Sequence, residues 1–198
     1  LNGDGFPDAL VAMQESSIEA FSDGAVYVYA GAETGLELEP VQILNGDHHE
    51  QRFGMDMAVG DVDGDGLLDL AVGASLSDIQ GGDRGLVHIF RGLQGGFFEE
   101  PAMQTFVGIR GGDRFGDAVE ICDFNGDGRM DLAVAASRFE EREREGWLGD
   151  ESGILVYLGG EGGLQETAST ISRGGQLDGE GTLIPVQNLR WGQDIAAG

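Results

Sequence analysis

The chain contains no lysine. Arginine carries all of its strong positive charge, 11 residues against 36 Asp and Glu, for a net charge of −25 over 198 residues. Such acidity excludes a nucleic-acid surface, because phosphates would be repelled. A salt-rich habitat and a coding bias both fit the missing lysine. Cysteine is nearly absent as well. Cys122 stands alone, which excludes an intrachain disulfide and reads as a small buried thiol rather than a reactive one. No apolar run reaches the 18 or so residues that a membrane-spanning helix needs. No basic segment leading into an apolar stretch is visible at Leu1, but the sequence starts there in the middle of a motif, so this is uninformative about a signal peptide. Helical periodicity is missing too. The stretch FEEREREGW, residues 139–147, comes nearest, and its Glu140, Glu141, Arg142, Glu143, Arg144 and Glu145 read as a solvated loop or one short turn. There is no Ser-His-Asp order, no nucleophile elbow and no cysteine pair, so no catalytic residue is expected. His48 and His49 lie in a polar loop and read as solvated rather than as transition-metal ligands.

Glycine is plentiful, at 36 residues, and points to many tight turns. An internal repeat accounts for them. RFGMDMAVGDVDGDGLLDLAVGAS, around Phe53-Gly54, aligns without a gap on RFGDAVEICDFNGDGRMDLAVAAS, around Phe115-Gly116, 62 residues further on. Trp191-Gly192 begins RWGQDIAAG. A second landmark recurs as GAVYVYAGAETGL from Gly24, GLVHIFRGLQGGF from Gly85 and GILVYLGGEGGL from Gly153. The stretches VYVY, VHIF and LVYL are β-branched and aromatic, and too short for helices, so they read as strands. In the second unit four strands are expected, near residues 54–60, 70–74, 86–91 and 103–107, with GG, DG and NG turns between them. The fold class is therefore all-β: a β-propeller of four-stranded antiparallel blades. The divisions are residues 1–52 (a blade without its first strand), 53–114, 115–190 (a blade with loop insertions) and 191–198 (the start of the next).

Each unit carries a nine-residue acidic loop. Numbered from its first Asp, the second unit places Asp61, Asp63 and Asp65 at positions 1, 3 and 5 and Asp69 at position 9. The third places Asp123, Asn125, Asp127 and Asp131 there. The first keeps Asn2, Asp4 and Asp8 at positions 3, 5 and 9 and lacks position 1. Oxygens at alternate positions can converge, and glycines at positions 4 and 6 permit the positive φ that closes the turn. Position 7 is Phe6, Leu67 or Arg129, unlike side chains that suit a backbone-carbonyl ligand. Position 8 is Pro7, Leu68 or Met130 and reads as an apolar peg toward the core. So much anionic oxygen in one turn calls for a hard cation, and calcium fits best. Two complete sites and one partial, weaker site are expected. An EF-hand would need Glu at position 12 and flanking helices, whereas Val72 or Val134 and strands are found. The ion reads as structural, since the protein itself supplies the ligands.

Phe53-Gly54 and Gly73-Ala74-Ser75 resemble the FG and GAP elements of the FG-GAP repeat, the blade of integrin α-subunit propellers and of many bacterial surface proteins. Ala135-Ala136-Ser137 is a looser match. The resemblance implies a seven-bladed propeller, of which about three blades lie here, with the remaining blades in the parent chain. It also implies an extracellular or cell-surface, non-enzymatic module for adhesion or ligand binding. The alternative is the accessory propeller of a secreted hydrolase or lyase, phospholipase D-like or polysaccharide-degrading. Loops 1–2 and 3–4 of a blade share one face, and loops 2–3 and 4–1 share the other. The third unit is longer in its 2–3 loop and again after its third strand, with the second insertion expected around residues 174–189. Both insertions would decorate the face opposite calcium, where a protein or carbohydrate ligand is expected. Neutral drift in tolerant loops accounts for them equally well.

Overall fold

A computed structural model describes residues 1–15, 23–46, 52–78, 82–138, 153–173, 176–177 and 183–184. All regular structure among them is β-strand. The first unit holds β1 (Ala9–Met13), β2 (Ala25–Tyr29) and β3 (Gln42–Asn45), paired in that order. The second holds β4 (Met57–Gly60), β5 (Asp69–Ala74), β6 (Leu86–Phe90) and β7 (Gln104–Val107), and the third β8 (Phe115–Cys122), β9 (Asp131–Ala136), β10 (Gly153–Tyr157) and β11 (Thr170–Arg173). Each of these two is a four-stranded antiparallel meander in chain order. This is the expected blade, and its strands start and stop within about three residues of the expected positions. The described residues do not close into a ring. Residues 191–198 and most of 174–189 lie outside them.

Every residue of β5 and of β6 is buried. The cause is a blade covered on both faces, which also explains an unbroken LAVGA run where a half-exposed strand would alternate. Leu70, Val72, Leu86 and Phe90 pack with Val26, Val28 and Leu44 of the first unit and with Phe53. Ala71, Val87 and Ile89 turn the other way, into a core with Val119, Ile121, Leu132 and Val134 of the third unit. Removing a side chain of this size from water contributes about 1.5–3 kcal/mol, so the seams between units hold much of the stabilisation.

The aromatic-glycine element and the GA element are two halves of one seam. Phe115 is 1% exposed and lies edge-on to Tyr157, with centroids 6.2 Å apart. Gly116 follows it at φ +90°, and a Cβ there would stand 2.5 Å from the Leu86 carbonyl oxygen. On the preceding blade, a Cβ on Gly73 would stand 2.2 Å from the Gly116 carbonyl oxygen. Neither position can carry a side chain. Hydrogen bonds fasten the same seam. The Val119 amide donates to Asp56 Oδ2 at 2.8 Å, and Gln104 Nε2 donates to the Leu164 carbonyl at 2.8 Å. Between the first two units, Gln42 both donates to the Phe98 carbonyl (2.8 Å) and accepts from its amide (3.0 Å).

Gly73→Ala therefore overpacks the seam without changing charge or backbone class, and should cost about 1–3 kcal/mol. Urea unfolding checks this, and a midpoint equal to that of the unsubstituted chain would show that the blades do not meet there.

Candidate metal loops

The acidic loop joins the first two strands of the second and third blades. Gly60 pairs with Asp69 and Cys122 with Asp131 across its mouth, so position 9 is the first residue of the second strand. The glycines at positions 4 and 6 adopt the expected left-handed backbone, at φ +79° and +88° for Gly64 and Gly66 and +76° and +86° for Gly126 and Gly128.

This winding turns main-chain amides toward the carboxylates. In the second loop Asp61 Oδ1 accepts from the Gly64 and Asp65 amides (2.8 and 3.1 Å), and its Oδ2 accepts from the Gly66 amide (2.8 Å). Asp63 Oδ1 accepts from the Asp65 amide at 3.1 Å, and Asp65 Oδ1 from the Leu67 amide at 2.9 Å. One oxygen each from Asp61, Asp63 and Asp65 lies within 4.8 Å of the others. The third loop repeats the pattern, with Asp123 accepting from Gly126, Asp127 and Gly128, Asn125 from Asp127, and Asp127 from Arg129. These amides, the Gly128 amide foremost, hold the Asp123 carboxyl below its usual range despite the opposing effect of desolvation. The first loop keeps the turns through Asn2 and Asp4, whose oxygens accept from Asp4 and Phe6 at 3.0 and 2.9 Å.

Position 9 stands apart from this cluster. Asp69 is fully buried. Its Oδ2 accepts from the Val62 amide at 2.9 Å and its Oδ1 from the Gly92 amide at 2.8 Å. Asp131 is likewise held by the amides of Phe124 (3.0 Å) and Gly159 (2.8 Å). Asp8 takes the Gly31 amide at 2.8 Å and the amino group of Leu1 at 2.5 Å. Burial pushes the Asp69 carboxyl above its usual range. The two amides oppose that push, and the charges of Asp63 and Asp65 add to it.

Gly31, Gly92 and Gly159 are members of the site that the loop motif did not reveal. Each follows the third strand of its blade, so the 1–2 and 3–4 loops share one face, as expected. A Cβ on these glycines would stand 2.2, 2.5 and 2.5 Å from the carbonyl oxygens of Pro7, Leu68 and Met130. The signal was a glycine two residues past the last residue of the third strand in every unit, after Tyr29, Phe90 and Tyr157.

Two expectations need correction. Position 8 is no peg: Leu68 and Met130 are 43% and 38% exposed. Their carbonyls point in against the strand-three glycine, which turns their side chains out. In the second loop position 2 fills the core instead, with Val62 only 3% exposed. Cys122 is half-buried rather than buried. His48, His49, Glu140, Glu141, Arg142, Glu143, Arg144 and Glu145 lie outside the described residues, as does most of both insertions.

One cation is set into the second loop. Arg91 Nη2 is 2.6 Å from Asp63 Oδ2. Beside it a groove of about 330 Å³ runs between the second and third units, lined by Asp61, Asp63, Arg129 and Glu161 among others. The donor set suits a hard cation: three carboxylates converge, amides hold both oxygens of Asp61 and one each of Asp63 and Asp65, and the cluster holds no soft ligand.

Stacked antiparallel four-stranded units with an acidic loop between strands one and two define a β-propeller repeat protein. The chain belongs to the FG-GAP family: residues 1–72 match the FG-GAP-like repeat and residues 115–143 the FG-GAP repeat. It is 36% identical over 123 residues to mouse integrin alpha-E, covering 58% of this chain and 10% of that protein. Against Xenopus laevis integrin alpha-4 it is 34% identical over 144 residues, 69% of this chain and 13% of the integrin. It is also 35% identical over 143 residues to mouse phosphatidylinositol-glycan-specific phospholipase D, 69% of this chain and 17% of that protein. The chain thus spans less than a fifth of the length of these relatives. No helix among the described residues is long and apolar enough to cross a membrane.

Asp69→Asn should destabilise the chain by about 1–3 kcal/mol even in a chelator, because an amide nitrogen would then face one of the two amide donors. Asp65→Asn, in the exposed part of the loop, should change stability by less than about 0.5 kcal/mol under the same conditions. Denaturant titrations of both variants in EGTA separate the roles, and equal losses would overturn the distinction.

Proposed function

We propose that this chain is a calcium-stabilised, non-catalytic propeller module of an extracellular or cell-surface protein, acting in adhesion or ligand binding. The convergence of Asp61, Asp63 and Asp65 carries the calcium reading. Three carboxylates held this close repel unless a cation neutralises them. Asp69 and the Leu67 carbonyl would complete the second site. Asp123, Asn125, Asp127, Asp131 and the Arg129 carbonyl would form the third. Asn2, Asp4, Asp8 and the Phe6 carbonyl would form a weaker first site without a position 1 ligand. Each ion would tie the loop shut and take no part in chemistry.

Similarity to integrin alpha subunits supports the adhesion reading, with a protein or carbohydrate ligand on the face opposite the metal loops and further blades completing a propeller of about seven. The blades would divide at residues 52/53, 114/115 and 190/191. Similarity to a phospholipase D keeps a second reading in play, in which the same module accompanies a secreted enzyme's catalytic domain. The sequence flanking this stretch in its parent chain distinguishes the two.

Calcium that binds only the folded chain should stabilise it by about 1.4 kcal/mol per site at tenfold excess over Kd. Titrating calcium during thermal unfolding should raise Tm, with magnesium less effective. Leu67→Ala should keep calcium affinity close to that of the unsubstituted chain, and Asp65→Ala should weaken the second site severely. A Tm that stays constant up to millimolar calcium overturns the reading.

A further inference from the structure

Arg91 has a counterpart in neither of the other units. It is the residue between the third strand and the glycine that holds position 9, and the same place is Ala30 in the first unit and Leu158 in the third. Position 3 of the loop varies in step: Asp63 in the second unit, but Asn2 and Asn125 in the others. The arginine therefore occurs where the loop has a full set of carboxylates. It reaches Asp63 Oδ2 at 2.6 Å, while Asp63 Oδ1 is taken by the Asp65 amide at 3.1 Å. Arg91 thus covers the Asp63 oxygen that accepts no amide. Its Nε is buried with no hydrogen-bond partner, so the side chain is held at this carboxylate by one end only.

We propose that Arg91 is a resident counter-cation of the second loop, which steadies the carboxylates when no metal is bound and which calcium must displace. The inference rests on the calcium reading above. Opposite charge at contact distance lowers the repulsion among Asp61, Asp63 and Asp65, and the same charge repels an arriving divalent ion. The second loop thus has one more carboxylate than the third, yet gains less affinity from it than the charge count implies. The displaced guanidinium has a destination. A groove of about 340 Å³ is lined by Arg91 together with Gln104, Glu161 and Glu166. Glu161 also lines the neighbouring groove with Asp61 and Asp63. Metal at the second loop would therefore shift a positive charge from the loop of one blade toward the acidic edge of the next.

The test is calorimetric titration of calcium into the full 198-residue chain carrying Asp127→Ala, which silences the third loop, with Arg91 intact or replaced by Gln. Arg91→Gln should bind calcium about tenfold more tightly and should unfold at lower urea in EGTA. Unchanged or weaker calcium binding in Arg91→Gln overturns the proposal while leaving the calcium reading intact. Calcium heats absent from both proteins remove the calcium reading and this proposal with it. Should Arg91→Gln fail to fold, the reciprocal pair Asn125→Asp with Leu158→Arg, compared with Asn125→Asp alone in a chain whose second loop is silenced by Asp65→Ala, serves instead. The added arginine should weaken the third loop about tenfold, and equal affinities overturn the proposal.

Discussion

The buried aspartate at position 9 is the constraint on which the face of acidic loops depends. Asp69 and Asp131 are fully excluded from solvent, and each spans two amides that belong to different loops. A buried carboxylate costs several kcal/mol in lost hydration. Hydrogen bonds to a charged acceptor contribute about 1.5–3 kcal/mol each, so two of them offset much of that cost. The bracket is therefore close to balanced, and its main effect is geometric. It fixes the start of strand two, the start of the loop and the end of strand three at one point. The loop can then wind the same way in every unit, whatever its side chains at positions 2, 7 and 8.

That winding sets an electrostatic problem which the main chain solves only in part. The amides of Gly64, Asp65 and Gly66 surround Asp61, and they act on it as an anion nest does. They do not cancel the repulsion among Asp61, Asp63 and Asp65, nor the upward push that Asp63 and Asp65 exert on Asp69. A third loop with Asn125 at position 3 carries one charge fewer and has Leu158 where the second has Arg91. Charge at position 3 and charge at the end of strand three thus rise and fall together between two units of one chain, as expected if both answer to the same local field.

The parts of the site that read directly from sequence are those governed by local backbone geometry. Alternation at positions 1, 3 and 5 and glycine at 4 and 6 are short-range features, and the loops follow them. The bracket is not short-range. Asp69 meets Gly92 and Asp8 meets Gly31 across 23 residues, and Asp131 meets Gly159 across 28. That contact depends on how the hairpin of strands two and three closes. The misreading of Leu68 and Met130 has the same origin. An apolar residue beside a strand suggests the core, but the glycine opposite admits a carbonyl there and nothing larger. The strands themselves were legible because β-branched and aromatic runs between glycine turns leave few alternatives. The central blade's burial on both faces was less so, since it comes from neighbouring units rather than from the strand's own pattern.

The FG and GA elements show why such a repeat is read more easily as an array than as a single unit. Gly116 accepts the preceding blade's backbone against its Cα, and Gly73 accepts the following blade's. Gly73 is required by its neighbour alone, whereas Gly116 also needs glycine for its own φ of +90°. A Cβ on either would collide with the adjoining blade, Gly73 with the carbonyl of Gly116 and Gly116 with that of Leu86. The same holds in the first seam, where Ala12 occupies the place of Gly73 and a Cβ on Gly54 would come within 2.8 Å of its methyl group. Stability in this architecture is accordingly a property of seams. Closure of the acidic loop and glycine contact at the seam act on the same strands: β5 begins at Asp69, held by the bracket, and reaches Gly73, held by the neighbouring blade, four residues later. A cation that tightens the loop thereby acts on the strand that the next blade must fit.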